Sequence, residues 1–372
     1  MLERLALSRE RMKALRYHAV GGPEVLRVED VPTPSPAAGE VRVRVSVAGV
    51  NFADTERRRG LYDAALPLPR TLGSEAAGVV DALGEGVDAG LLGQRVVLWG
   101  TRCCAEWTCA RVERLWPVPA GVSLAQAAAL PVQGLTAWHL LHTVGRVAVG
   151  DAVLVHAAAG GVGTLLVQLA KAAGARVLAV VSSEEKAARV TALGADVVLR
   201  SDLLRRPEAA QPGVVQRSVG GTGLAEAAQS DSLQRNVSGT DLAEAARAAT
   251  GGRGVQLALD SVGRATWEAS VRALAPFGHA VSYGSASGAP ESVDVDAQLF
   301  AHSLKVSAYW LMTEHPPGAH AAAMQALLAQ VAAGTLKPVL GLQLPLAEAA
   351  EAHRQLEARH TMGKVLLRVR ED

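Results

Sequence analysis

Between residues 153 and 174 the chain reads Val153-Leu154-Val155, then Ala158-Ala159-Gly160-Gly161-Val162-Gly163, then an apolar helical stretch from Val162 to Ala173 that stops at Gly174. This passage restricts the fold more than any other, because a strand, a glycine turn and a helix in that order prescribe both a backbone path and a ligand. The turn fits the Gly-x-Gly-x-x-Gly template with Ala158 at the first glycine position. Gly160 has no Cβ to keep the backbone away from a pyrophosphate, and Gly163 lets the helix lie close to the strand. The residues Ala159, Gly160, Gly161, Val162 and Gly163 therefore bring free N–H groups and the positive end of a helix dipole to phosphate oxygens. The alternative is a tight turn that holds no ligand.

The following strand, Arg176 to Val181, ends in Ser182-Ser183-Glu184-Glu185-Lys186. A site for NAD usually carries an acid there to bind the ribose 2′-hydroxyl. Small hydroxyls at Ser182 and Ser183 with Lys186 nearby suit a 2′-phosphate instead, which points to NADPH. A second role is open to the same residues: Ser182 and Glu185 as a capping box, with Lys186 on a solvated helix face.

Strands and helices keep alternating beyond this point. A helix is expected from Ser183 to Leu193, closed by Gly194, and strands at 197–199, 255–259, 279–283 and 305–309. Such a series makes right-handed crossovers and a doubly wound parallel sheet. One stretch breaks the rhythm. The run from Gln216 to Ala228 recurs from Gln234 to Ala246, a local tandem duplication. The second copy has the better helix, with Asp241 as N-cap and Gly251 as stop. The first copy, with Pro207 and Pro212 before it, is expected as a surface excursion over about residues 203–238.

The N-terminal third has another texture. Val41 to Val47 alternates apolar and polar residues as a half-buried strand does, and Gly73 to Val97 is dense in glycine and valine, as short strands joined by tight turns are. Ser123 to Leu130 is an expected helix ended by Pro131. At the far end, an amphipathic helix is expected over Leu346 to Arg359 and a strand over Lys364 to Val369. At 372 residues the chain suits two domains. A net charge of +1 gives no reason to expect nucleic acid or a charged membrane as partner, and no apolar run has the length of a membrane span. Three cysteines, Cys103, Cys104 and Cys109, make no disulfide framework, so a cytoplasmic protein is expected. Residues 1–11 read as a short appended segment.

With these features in hand, the chain from Met12 onward resembles the medium-chain dehydrogenase/reductase superfamily, and within it the zinc-free quinone oxidoreductases. The resemblance rests on Tyr17 to Leu26, Gly49-Val-Asn-Phe-Ala-Asp54, Leu72 to Val80, Leu130 to Ala137, the glycine turn, Asp260-Ser-Val-Gly263 and the tail through Gly363-Lys-Val. It implies an α/β chain with a GroES-like β-rich catalytic domain at 12–134 and 311–372, a Rossmann domain at 135–310 and an active site in the cleft between them. It also implies a homodimer. Zinc members carry Cys and His where this chain has Asn51 and Ser74, and a third thiolate position falls on Val132; none of these replaces thiolate or imidazole. No metal ligands are therefore expected.

Without a Lewis acid, reduction of a quinone or enone is the easier chemistry, since hydride addition gives a delocalised anion. The resemblance puts Asn51 and Asp54 near the nicotinamide ribose and the acceptor. An Asn51 amide N–H can meet a carbonyl oxygen, or the residue can simply form a turn. Asp54 can equally cap a helix or pair with Arg57 or Arg58. Many relatives have Tyr where this chain has Glu56, which leaves Tyr62 as candidate proton donor. Thr136, Tyr283 and Gly284 are expected beside the nicotinamide, Glu75 as a buried paired carboxylate, and Ser201 where relatives cover the adenine with an aromatic ring. Two other readings stay open: a 2-enoyl thioester or 2-alkenal reductase, and a cofactor-binding protein without turnover. A zinc alcohol dehydrogenase is more remote.

Overall fold

The structure, a computed structural model, describes residues 11–62, 67–204, 241–290 and 292–370. The appended segment before residue 11 and the first copy of the duplication with its lead-in lie outside the described residues. The chain forms two compact units, residues 1–149, 158–174 and 308–372 in the first and 150–157 and 175–307 in the second.

The first unit is built on a seven-stranded sheet. Its strands run Leu340–Pro345, Lys364–Arg368, Glu40–Val50, Glu75–Leu83, Arg95–Trp99 and Leu115–Pro117, with Trp107–Arg111 also paired to Glu40–Val50. All of these pairs are antiparallel except that of Leu340–Pro345 with Lys364–Arg368. Strand Glu40–Val50 shows why the alternation was readable. Val41, Val43 and Val45 are fully buried, while Arg42 is half-buried and Arg44 exposed. Beyond Ser46 the strand is buried on both faces, and alternation ends. A smaller sheet joins Arg27–Pro32, Arg11–Tyr17 and Arg70–Thr71. Helix Leu124–Ala128 starts at a reciprocal box in which the Gln126 N–H donates to Ser123 Oγ and the Ser123 N–H to Gln126 Oε1, at 3.1 and 2.9 Å. Helix Gln133–His139 follows Pro131 and packs on helices Gly161–Ala172 and Ala319–Ala332.

The second unit holds a six-stranded sheet ordered Val197–Arg200, Arg176–Val181, Ala152–Val155, Val255–Asp260, Leu274–Ser282, Lys305–Ala308. In chain order that is 3-2-1-4-5-6, the doubly wound arrangement of dinucleotide-binding sheets, and the first five strands are parallel. The strand order reverses between Ala152–Val155 and Val255–Asp260. Helix Leu242–Ala249 starts at Asp241, whose carboxylate accepts the Glu244 N–H at 2.8 Å, and Gly251 follows it with φ of 63°.

Three boundaries differ from the sequence expectation. The segment from Leu346 is a 3₁₀ turn to Glu348 followed by an α-helix over Ala349–Glu357, because Leu346 turns into the core and the helical face is set only from Ala349. The fifth parallel strand begins at Leu274 rather than His279, and its register shifts where Phe277 takes a positive φ of 64°. Helix Glu184–Ala192 is capped by Ser183, not Ser182, since Ser183 is still extended; the residue in the third helical position is then Lys186 and no box with Glu185 forms.

Candidate active site

Strand Glu40–Val50 runs into Asn51, which remains extended and starts helix Phe52–Arg58. The Asn51 backbone N–H donates to Asp54 Oδ2 at 2.8 Å, so Asp54 secures the helix start. Asp54 is buried, and burial pushes its carboxyl up, opposed first by Arg57. Of the two arginines open to it, Asp54 takes Arg57, at 3.3 Å; Arg58 pairs with Glu357. Arg57 Nη1 also donates to Ser74 Oγ at 3.0 Å.

The Asn51 side chain, besides its place in the capping box with Asp54, enters a buried network. Its Nδ2 donates to Glu75 Oε1 at 2.7 Å, and its Oδ1 accepts from Lys364 Nζ at 2.9 Å and Gln133 Nε2 at 3.4 Å. Glu75 is completely buried; it pairs with Lys364 and accepts the Val132 N–H at 2.7 Å. Lys364, equally buried, gives its third hydrogen to the Val50 carbonyl at 3.2 Å. All three ammonium hydrogens are therefore engaged, and of the four bonding capacities of the Asn51 amide one N–H is left over. Sequence reasoning found Asn51 and Glu75 but missed Lys364 and Gln133. The signal was a lysine opening the otherwise apolar strand Lys364-Val-Leu-Leu.

Tyr62 lies in the same unit. Trp310 Nε1 donates to its phenol oxygen at 2.6 Å, and the Arg57 guanidinium sits 4.7 Å from its ring centre. The phenolic hydrogen is thereby left for another acceptor. Glu56, where relatives have Tyr, is half-buried, and burial pushes its carboxyl up.

The glycine turn enters helix Gly161–Ala172 through Gly160, extended and without a side-chain cap. The first amide to bond within the helix is that of Thr164, to the Gly160 carbonyl at 2.9 Å. The N–H groups of Gly161, Val162 and Gly163 have no partner in the helix, as an anion site requires. The Ala159 carbonyl is held by the Gly363 N–H at 2.8 Å. A Cβ on Gly161 would lie 1.9 Å from Gln133 Oε1, so glycine here is what lets the Gln133 amide rest on the turn. Thr136 is buried and donates to the Val132 carbonyl at 2.6 Å.

In the second unit, Lys186 Nζ donates to the exposed Ser182 Oγ at 3.3 Å, and Ser183 Oγ accepts the Lys186 N–H at 3.3 Å. Glu184, whose charge opposes a phosphate, is bonded by Arg200, a cation that sequence reasoning did not select. Ser201 is exposed and donates to the Val181 carbonyl at 3.1 Å. Tyr283 is half-buried, and burial pushes its phenol up. Its N–H bonds the Asp260 carbonyl at 2.9 Å, with Gly284 next in the chain. Asp260 also folds its own motif: its carboxylate accepts the amides of Val262 and Gly263 at 2.8 and 3.0 Å and lies 2.7 Å from Ser270 Oγ, which is 2.8 Å from His156 Nε2. Burial works to raise the Asp260 carboxyl, but His156 and these donors hold it below the ordinary range. This Ser–His–Asp trio is closed to solvent and shapes the backbone; no substrate can reach it.

The donor set does not fit zinc. Asn51 spends its amide oxygen on an ammonium, Ser74 faces a guanidinium, and Val132 offers no ligand. Two cations already occupy the surroundings, and among the described residues no group of three or more His, Cys, Asp or Glu side chains could hold a metal. Cys103 and Cys104 are buried, and burial pushes their thiols up, away from thiolate character. Among the described residues no helix is long and apolar enough to cross a membrane.

Comparison with known proteins agrees with this geometry. Residues 37–139 match the alcohol dehydrogenase GroES-like domain, and residues 161–234 and 231–367 match zinc-binding dehydrogenase domains. A quinone oxidoreductase of Pseudomonas aeruginosa is 34% identical over 360 residues, covering 95% of this chain and 99% of the relative. A 2-haloacrylate reductase of a Burkholderia species is 33% identical, covering 94% and 97%. The crystal structure of Escherichia coli quinone oxidoreductase complexed with NADPH superposes with a TM-score of 0.81 at 32% identity, covering 95% of this chain and 99% of that one. With its 3-2-1-4-5-6 sheet, its uncapped glycine turn and relatives matched from end to end, the chain belongs to the quinone oxidoreductase family of medium-chain dehydrogenases/reductases.

Proposed function

We propose that the protein is an NADPH-dependent oxidoreductase that reduces quinones or related conjugated carbonyls without zinc. The observation that carries this reading is the pairing of a helix start whose first N–H groups have no partner within the helix and, in the same unit, an amide with one unspent N–H beside a buried ion pair. The first suits a pyrophosphate and the second suits the oxygen of an acceptor that gains negative charge.

In this reading Gly160 to Gly163 hold the pyrophosphate, Ser182, Ser183 and Lys186 the 2′-phosphate, and Thr136, Tyr283 and Gly284 the nicotinamide half. Bound NADPH supplies a hydride. The acceptor takes that hydride at its conjugated carbon, and the electron pair of the double bond moves to the carbonyl oxygen. Asn51 donates to that oxygen while charge grows on it. Asp54, through Arg57 and the Asn51 backbone, keeps the helix start fixed. Tyr62 donates the proton that completes the reduction, with Trp310 holding its phenol. Lys364 and Glu75 exclude water from beneath the amide. The 2-haloacrylate reductase among the relatives supports a second reading, reduction of an activated carbon–carbon double bond on the same scaffold.

The test is an acceptor panel. NADPH and NADH consumption are followed with 1,4-naphthoquinone, a crotonyl thioester, a 2-alkenal and no acceptor. NADPH oxidation with naphthoquinone and weaker use of NADH are the expected results. Turnover only with the thioester or alkenal would favour the second reading. NADPH binding with no turnover on any acceptor would leave a cofactor-binding protein.

A further inference from the structure

Asn51 cannot orient itself. An amide side chain turned by half a circle presents oxygen where it presented nitrogen, and the two arrangements fill the same space. Here the choice is fixed from one side by a charge. Lys364 Nζ, with donors only, bonds Asn51 Oδ1 at 2.9 Å, and Glu75, an acceptor, takes one Nδ2 hydrogen at 2.7 Å. Gln133 adds a second donor to Oδ1. Reversal would set an ammonium against an amide NH₂ and a carboxylate against an amide oxygen. The remaining N–H is thus held in one direction, and its acidity is raised by the cation on its own carbonyl.

The same chain segment reaches the cofactor turn. Gly363 N–H bonds the Ala159 carbonyl, and the next residue, Lys364, holds Asn51. Gln133 spans the same distance a second way, bonded to Asn51 and resting on Gly161. Both connections lie within one compact unit.

We propose that Lys364 is a positioning residue for reduction: its buried ammonium, paired with Glu75, locks the Asn51 amide with one N–H toward the acceptor oxygen. This rests on the functional reading above. No new bond is made to Lys364, and it moves no proton; all three of its hydrogens stay engaged.

The test is a double-mutant cycle. Lys364→Met alone would strand the Glu75 charge, so it is made together with Glu75→Gln, which removes both charges and keeps an acceptor for the Val132 N–H. The pair is placed in wild type and in Asn51→Ala, with thermal unfolding and NADPH affinity measured on each protein. In the wild-type background kcat for 1,4-naphthoquinone should fall about 10- to 100-fold, with NADPH affinity and naphthoquinone KM nearly unchanged. In the Asn51→Ala background the same pair should cost less than about 3-fold, because the lysine acts through the amide. Gln133→Met, which leaves the ion pair whole, gives a second arm if the paired variant does not fold: its smaller loss should also vanish in Asn51→Ala. Equal losses in both backgrounds, or none in either, overturn the proposal while leaving the functional reading intact. A wild-type protein that binds NADPH but reduces no acceptor overturns both.

Discussion

Lys364 and Glu75 are both within 1% of complete burial, so each depends on the other for its charge. Removing one partner should be far costlier than removing both. Lys364→Met is expected to destabilise the protein by about 3–5 kcal/mol, and the Lys364→Met/Glu75→Gln pair by clearly less, as read from urea unfolding midpoints. Lys186 offers a second test at this scale. If its ammonium, beside Ser182, receives a 2′-phosphate, Lys186→Ala should lower the NADPH-over-NADH ratio of kcat/KM about tenfold, the equivalent of one charge-assisted hydrogen bond of about 1.4 kcal/mol. An unchanged ratio would remove Lys186 from the site. The residues legible in the sequence were those whose type is itself the message: glycine where a backbone must come close, Asn51 where a thiolate was looked for. Lys364 and Arg200 were not legible, because a lone cation in a strand becomes informative only once the carboxylates at Glu75 and Glu184 are seen beside it. Tyr62 was legible as a candidate, but its partner Trp310 stands 248 residues away in sequence.

At the scale of elements, periodicity served well wherever one face is wet. The first half of strand Glu40–Val50 and helix Leu242–Ala249 fall where alternation and capping put them. It failed where tertiary contacts set the boundary, as at the bulge beside Phe277 and the 3₁₀ entry at Leu346. The cap at Asp241 carries its own prediction. It bonds the Glu244 amide and also Arg272 at 2.7 Å, so Asp241→Ala should cost about 1–2 kcal/mol in unfolding free energy. Gly78 makes a sharper case. A Cβ there would lie 2.0 Å from the Arg44 carbonyl on the neighbouring strand, and backbone cannot swing aside as a side-chain tip can. Gly78→Ala should destabilise by about 1–3 kcal/mol, measured by thermal unfolding, with loss of soluble protein if the strands cannot separate.

For the molecule as a whole, buried histidines set the response to acid. Burial, helped by Arg58, lowers His353 to about 3, and burial, helped by His320, lowers His139 to about 4. In the unfolded chain both take a proton near the ordinary value of about 6.5. The unfolded state therefore binds more protons between about pH 6.5 and pH 4, and stability must fall as pH falls through that window, by up to about 1.4 kcal/mol per pH unit for each histidine. Above pH 6.5 these groups contribute no slope. His139→Phe and His353→Phe should flatten the acid side of a urea-midpoint profile, and an unchanged slope would show that other groups control it. The fold class and the cofactor turn were legible because they are written in contiguous residues. The charged network was not, since its members come from four separate stretches, at 50–51, 75, 133 and 364, that only the folded sheet brings together. If this assembly moves a hydride from NADPH to a conjugated carbonyl without a metal, NADPH oxidation by 1,4-naphthoquinone should run at equal rates before and after exhaustive chelation, with no zinc bound in stoichiometric amount. A rate abolished by chelation and restored by zinc would mark a metal-dependent reaction instead.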